Sequence, residues 1–156
     1  MQKSKKKERP RWYKPDWVKT EIPFMEAFKN SKPIPMFTDE DVDLLVATAD
    51  GTIINLDTKH TLKPYAKDAT GHMLVKLRIG DEYKHRAVHH LVAWAWLPNP
   101  QEKEYVHHIN GIPSDNRQRN LVWVTTQEHK YLHKLMRENH MKEYFEEVQR
   151  LRGVNY

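Results

Sequence analysis

The chain has 156 residues, one domain's worth with room for an arm, and it contains no cysteine. Disulfide frameworks and cysteine-ligated zinc modules are therefore excluded. No apolar run approaches the ~20 residues of a membrane span and no signal-like segment opens the chain, so a soluble, cytoplasmic protein is expected.

The net charge of +5 is unevenly placed. Residues 1–20 hold eight cations against Glu8 and Asp16, a surplus of six, which leaves the remainder at −1. Lys5, Lys6, Lys7, Arg9 and Arg11 lie in this stretch, with Trp12, Tyr13 and Trp17 interleaved. Cations beside aromatics suit a polyanion that offers both phosphates and stacking faces; the plainer reading is a solvated tail.

Residues 1–43 are rich in Lys and Pro with little periodicity and are predicted to be an extended arm, with at most a short helix over 25–29. Residues 44–48 and 52–55 flank Asp50-Gly51, the pattern of a hairpin. Over 73–79, Val75, Leu77 and Ile79 alternate with Lys76 and Arg78, as in a half-buried strand. Gly80-Asp81 turns it, and residues 83–86 return alongside. A helix is predicted over 87–97, where Val88, Leu91, Val92, Ala95 and Trp96 recur at helical spacing before Pro98. Trp94 and Trp96 are assigned to packing, and His89 and His90 to structural roles.

Residues 105–109 form a short strand that meets a turn at Asn110-Gly111, and 121–124 return after a polar loop. Thr125 and Glu128 have the spacing of a capping box, which opens a helix at about residue 126. Its apolar stripe continues to Leu151, with a break near Asn139-His140.

The last strands and helix carry the chemistry. His107-His108 is followed by Asn120, 12 residues after His108, and by His129, 21 residues after it. With Leu121, Val124-Thr125, Val88-His89, Leu91-Val92-Ala93 and Leu97-Pro98-Asn99-Pro100, this run resembles the HNH endonuclease family, in particular its phage and intron-type homing endonucleases. The resemblance implies an α+β protein: a ββα-metal (HNH) nuclease core over 87–133, preceded by the arm (1–43) and a small β-rich DNA-binding module (44–86), and followed by an amphipathic helix (134–156). It implies hydrolysis of DNA phosphodiester bonds with one divalent ion, Mg²⁺ or Mn²⁺, and double-stranded DNA as partner, with no membrane and no small-molecule cofactor. A phage-encoded member would work in the host cytoplasm.

In that scheme His108 is the general base, since an imidazole near pKa ~6.5 takes a proton from water at neutral pH. His107 stands where the family often has Asp and holds the ion together with His129. His129 falls in the first helical turn, where the dipole disfavours imidazolium. Asn120 ties backbone groups across the loop so that His108 is fixed. Two imidazoles and no carboxylate suit Zn²⁺, Co²⁺ or Ni²⁺ at least as well as Mg²⁺. Lys76, Arg78 and Arg117 join the five arm cations as DNA contacts, although a surface arginine in a polar loop such as Arg117 is more often just solvated. Asp115 is a further possible oxygen ligand, and Asp115 and Asn116 are expected to shape the loop. His133, four residues after His129, is assigned to a phosphate contact or to packing, and His60, His72, His85 and His140 to nothing.

Adjacent residues on a regular strand face opposite ways, so one site for both His107 and His108 requires the strand to twist or end there. Two other readings stay open. One is a non-catalytic nucleic-acid-binding or ribonucleoprotein component built on an HNH domain, marked by salt-sensitive binding without cleavage. The other is a histidine-ligated structural zinc module, in which loss of His108 would unfold the protein.

Overall fold

The structure, a computed structural model, describes residues 30–35 and 44–155. The cations called at Lys5, Lys6, Lys7, Arg9 and Arg11, the aromatics among them and the short helix over 25–29 lie outside the described residues.

Nine strands and three α-helices are present among the described residues. The first sheet runs β1-β2-β3-β4, from Ser31–Pro33, Leu45–Thr48, Ile53–Asn55 and His60–Thr61. The second is β5-β6-β7, from Tyr65–Ala66, Met73–Ile79 and Glu82–Ala87. Helix α1 (Val88–Trp96) follows β7 directly, and the third sheet is the antiparallel pair β8 (Tyr105–His108) and β9 (Leu121–Val124). Helices α2 (Thr126–Arg137) and α3 (Met141–Asn155) complete the chain.

The predicted strand over 73–79 and its return are β6 and β7, paired from Leu74↔Ala87 to Ile79↔Glu82. One part of the predicted arm is corrected. Ser31–Pro33 pairs with β2 through Ser31↔Thr48 and Pro33↔Val46, and Ile34 is buried. An edge strand held by backbone pairing needs no alternating side chains, so its sequence shows none.

Helix α1 sits between the sheets. Val88, Leu91, Val92 and Ala93 are buried in one cluster with Ala47, Ile53, Val75 and Leu77 on one side and Val106, Leu121 and Trp123 on the other. Trp96 belongs to this packing, its indole N–H donating to Ala47 O at 2.9 Å. Trp94 does not: it is 37% exposed, which corrects its assignment. Two residues beyond Val92, it lies about 200° round the helix from that buried position.

A second cluster joins Val122 and Val124 of β9 to Leu132 and Leu135 of α2 and to Tyr144, Val148 and Leu151 of α3. β9 is thus buried on both faces: Leu121 and Trp123 look to α1, Val122 and Val124 to α2 and α3. Thr125 caps α2, its hydroxyl accepting from Glu128 N at 3.2 Å. The Glu128 carboxylate instead takes the buried Lys103 ammonium at 3.0 Å, which fastens the start of α2 to the segment leading into β8. The break between α2 and α3 falls at Asn139, whose φ is +57°.

Candidate metal centre and its flanking histidine

Strand β8 ends on the His107-His108 pair, with His107 opposite Val122 and His108 opposite Leu121. The turn follows at once: Ile109 N donates to Asn120 O at 2.8 Å, and Gly111 N to His108 O at 3.0 Å. The two rings leave the strand toward different neighbours, as regular alternation requires.

His107 turns toward α2 and α3. Its ring lies 5.4 Å from that of His129 and 5.1 Å from that of His133, centroid to centroid. One ligand nitrogen from each of the three lies within 4.8 Å of the others, a grouping able to hold a metal ion. His129 and His133 are one turn apart on α2, and their Nε2 atoms are 2.9 Å apart. Adjacent ligand nitrogens of a tetrahedral site stand roughly 3.4 Å apart for a metal–nitrogen bond of ~2.1 Å, so small rotations suffice to open the cluster for an ion. Burial, then the neighbouring imidazoles, hold His107 down to about 3 and also lower His129. Burial lowers His133 as well. All three rings are therefore neutral near pH 7, the state a ligand needs. Donors that are all nitrogen suit a borderline transition ion better than Mg²⁺.

His108 turns toward α1. Its Nε2–H donates to Asn116 Oδ1 at 2.9 Å, so the lone pair sits on Nδ1. Its ring is 4.9 Å from that of His89 and 5.8 Å from that of His72. Burial lowers its proton affinity, opposed by the hydrogen bond to Asn116. His108 in turn depresses both His107 and His129, which places it within electrostatic reach of the three-histidine cluster. His89 is buried, its Nδ1 has no hydrogen-bond partner, and burial pushes it down to about 2.

The loop between β8 and β9 is tied from within. Asn120 Oδ1 accepts from Asn110 N, and its Nδ2 donates to Asn110 Oδ1 and Asp115 O, each at 2.9 Å. The Asp115 carboxylate accepts from Asn110 Nδ2 at 2.7 Å and from Arg117 Nε and Nη2 at 2.8 and 2.5 Å. The Arg117 bonds hold it down at about 2. Arg117 is thus partly engaged inside the loop.

The side chain that hydrogen-bonds His108 is that of Asn116, while the Asn120 amide bonds Asn110 and Asp115. The lack of a side chain at Gly51 lets the Asn116 backbone approach closely: with φ +96°, an added Cβ would meet Asn116 O at 2.7 Å. Gln118 N also donates to Ala49 O at 2.8 Å, so the β2–β3 turn buttresses the loop. Lys76 is exposed, with its ammonium 4.5 Å from the Tyr83 ring centroid, and Arg78 Nη1 donates to Gly80 O at 3.0 Å.

Sequence reasoning missed three residues. His133 joins the cluster through helical i,i+4 spacing to His129, a relation that many histidine pairs share without binding a metal. Asn116 and Tyr144 are brought in by a loop and by a helix 36 residues beyond His108, and neither position has a distinctive spacing.

Two antiparallel strands, the loop between them and a helix across the hairpin, with imidazoles gathered beneath that helix, define the ββα-metal fold. The model of an HNH endonuclease family (HNH_3) matches residues 82–131. Two relatives come from Acanthamoeba polyphaga mimivirus. Uncharacterized HNH endonuclease L245 is 29% identical over 110 residues, covering 70% of this chain and 32% of L245. Uncharacterized HNH endonuclease L247 is 36% identical over 81 residues, 50% of this chain and 20% of L247. The chain thus spans about a third and a fifth of the lengths of these relatives. A structure of the HNH homing endonuclease I-HmuI, solved for its DNA binding and cleavage, resembles the fold with a TM-score of 0.56 at 24% identity. The likeness covers 70% of this chain and 59% of that one. No helix among the described residues is long and apolar enough to cross a membrane.

Proposed function

We propose that the protein is a divalent-metal-dependent DNA endonuclease that hydrolyses phosphodiester bonds. The observation that carries this reading is the three-imidazole cluster of His107, His129 and His133 beside a fourth, separately oriented imidazole, His108. A purely structural metal site has no use for the fourth.

His107, His129 and His133 would hold the ion. When bound, a divalent ion supplies charge to the phosphate oxygens and to the leaving oxygen. His108 takes the proton of the attacking water on Nδ1, since Nε2–H is committed to Asn116. Asn116 is the acceptor for that N–H and stabilises the imidazolium that forms, while Asn120 keeps the loop closed behind it. DNA would meet a basic ridge on α2, where exposed Lys130, Lys134 and Arg137 follow one another beside His129 and His133. Lys76, Arg78, Arg117 and the arm cations Lys5, Lys6, Lys7, Arg9 and Arg11 extend the contact.

Purified protein with supercoiled plasmid and Mg²⁺, Mn²⁺, Co²⁺, Ni²⁺ or Zn²⁺ tests the reading. Nicked or linear product is expected with at least one ion and none after chelation. Tight, salt-sensitive binding without cleavage in any ion would instead support the non-catalytic alternative.

A further inference from the structure

We propose that Tyr144 of α3 is the positioning residue that fixes the tautomer of His107, leaving Nδ1 as its donor nitrogen. The inference rests on the reading of His107, His129 and His133 as a metal centre. Tyr144 is fully buried. Its hydroxyl stands 2.6 Å from Ile109 O and 2.7 Å from His107 Nε2. A phenol has one hydrogen, and a carbonyl oxygen only accepts, so that hydrogen goes to Ile109 O. Toward His107 the phenol oxygen is left as an acceptor, and Nε2 must bring the hydrogen. A neutral imidazole has only one, so the free lone pair is on Nδ1.

The same contact fixes the ring's rotation, because the phenol is itself held at both ends. Val148 and Leu151 anchor α3 in the second core, and Arg152 Nη1 donates to Arg119 O at 2.9 Å. Tyr144 also lies 13 residues beyond the end of the matched family segment, so this support comes from a part of the chain outside it. Helix α3 is therefore a functional part of the centre and more than a cover for the hydrophobic face of β9.

The test uses Tyr144→Phe, which keeps the ring and removes both hydrogen bonds. Imidazole ¹⁵N–¹H NMR of the metal-free wild type should show His107 as the Nε2–H tautomer, with that proton protected from exchange. In the variant the protected proton disappears, and Zn²⁺ or Co²⁺ affinity measured by calorimetry falls about 10–100-fold, the usual effect of losing a ligand's outer hydrogen bond. A merely structural tyrosine would lower the melting temperature and leave metal affinity alone. Wild-type His107 carrying its hydrogen on Nδ1 would overturn the proposal, as would wild-type metal affinity in a folded variant. If Tyr144→Phe does not fold, the wild-type spectrum decides. Failure of the wild type to bind any metal would sink the metal-centre reading, while the tautomer measurement still judges Tyr144 by itself.

Discussion

The two faces at the end of β8 gather different partners. On one, His107 meets two imidazoles from α2 and a phenol from α3, a set of nitrogens with one hydrogen bond holding the first in place. On the other, His108 meets an amide oxygen from the loop and a buried, unpaired His89 from α1. Two adjacent residues of one type thus reach opposite chemical settings through nothing more than strand alternation. The face that gathers lone pairs suits a cation, and the face that orients a single N–H suits proton transfer.

Substitutions on the two faces should fail differently. The largest effect is expected on the first: His107→Ala removes metal binding and cleavage together, which calorimetry and a plasmid assay would record. On the second face, His108→Ala should lower kcat by about 10²–10⁴-fold, the range for a general base, while metal affinity stays at the wild-type level. Equal loss of metal in both variants would erase the division.

Gly51→Ala sharpens the comparison from a distance. Its Cβ would stand 2.7 Å from Asn116 O, so the packing of the turn against the Asn116 backbone must shift, in a backbone conformation already unfavourable to alanine. A loss of about 1–3 kcal/mol in stability is expected, with a fall in kcat and unchanged metal affinity. Cleavage at the wild-type rate would show that Asn116 does not orient the base.

The pH dependence also separates the faces. Burial lowers His108, so it remains a free base below the ordinary histidine range, and the acid limb of the rate profile should fall below pH ~6.5. His89 gives a smaller signal in stability. Its folded pKa of about 2 lies under the unfolded value of ~6.5. Between those limits the unfolded chain binds a proton that the folded one refuses, so stability is full above pH 6.5 and declines as pH falls. The slope is about 1.4 kcal/mol per pH unit for one proton. His89→Leu should flatten denaturant-derived stability between pH 6 and 4 by that one-proton slope, and an unaltered slope would contradict the assignment.

The legible parts of this molecule were those written locally. The alternation of Val75, Leu77 and Ile79, the Thr125 cap, the helix break at Asn139 and the HNH spacing each lie within a few turns or strands of chain. What could not be read depends on distant partners. Strand β1 exists because β2 offers a backbone edge, which Ser31-Lys32-Pro33 does not announce. His133 has the same i,i+4 relation to His129 whether or not a third imidazole faces the pair, and only the fold brings His107 there. The backbone of Asn116 packs against Gly51, 65 residues earlier in the chain, a contact that no local pattern announces.

The central claim is that three histidines hold one ion while the fourth stands apart from it. The most direct test is Co²⁺ titration of the metal-free wild type and of alanine variants at 107, 108, 129 and 133, followed by the visible d–d bands and calorimetric stoichiometry. One ion per chain is expected in the wild type and in His108→Ala, with binding weakened or abolished in His107→Ala, His129→Ala and His133→Ala. Loss of the ion in His108→Ala, or its full retention in His133→Ala, would contradict the account.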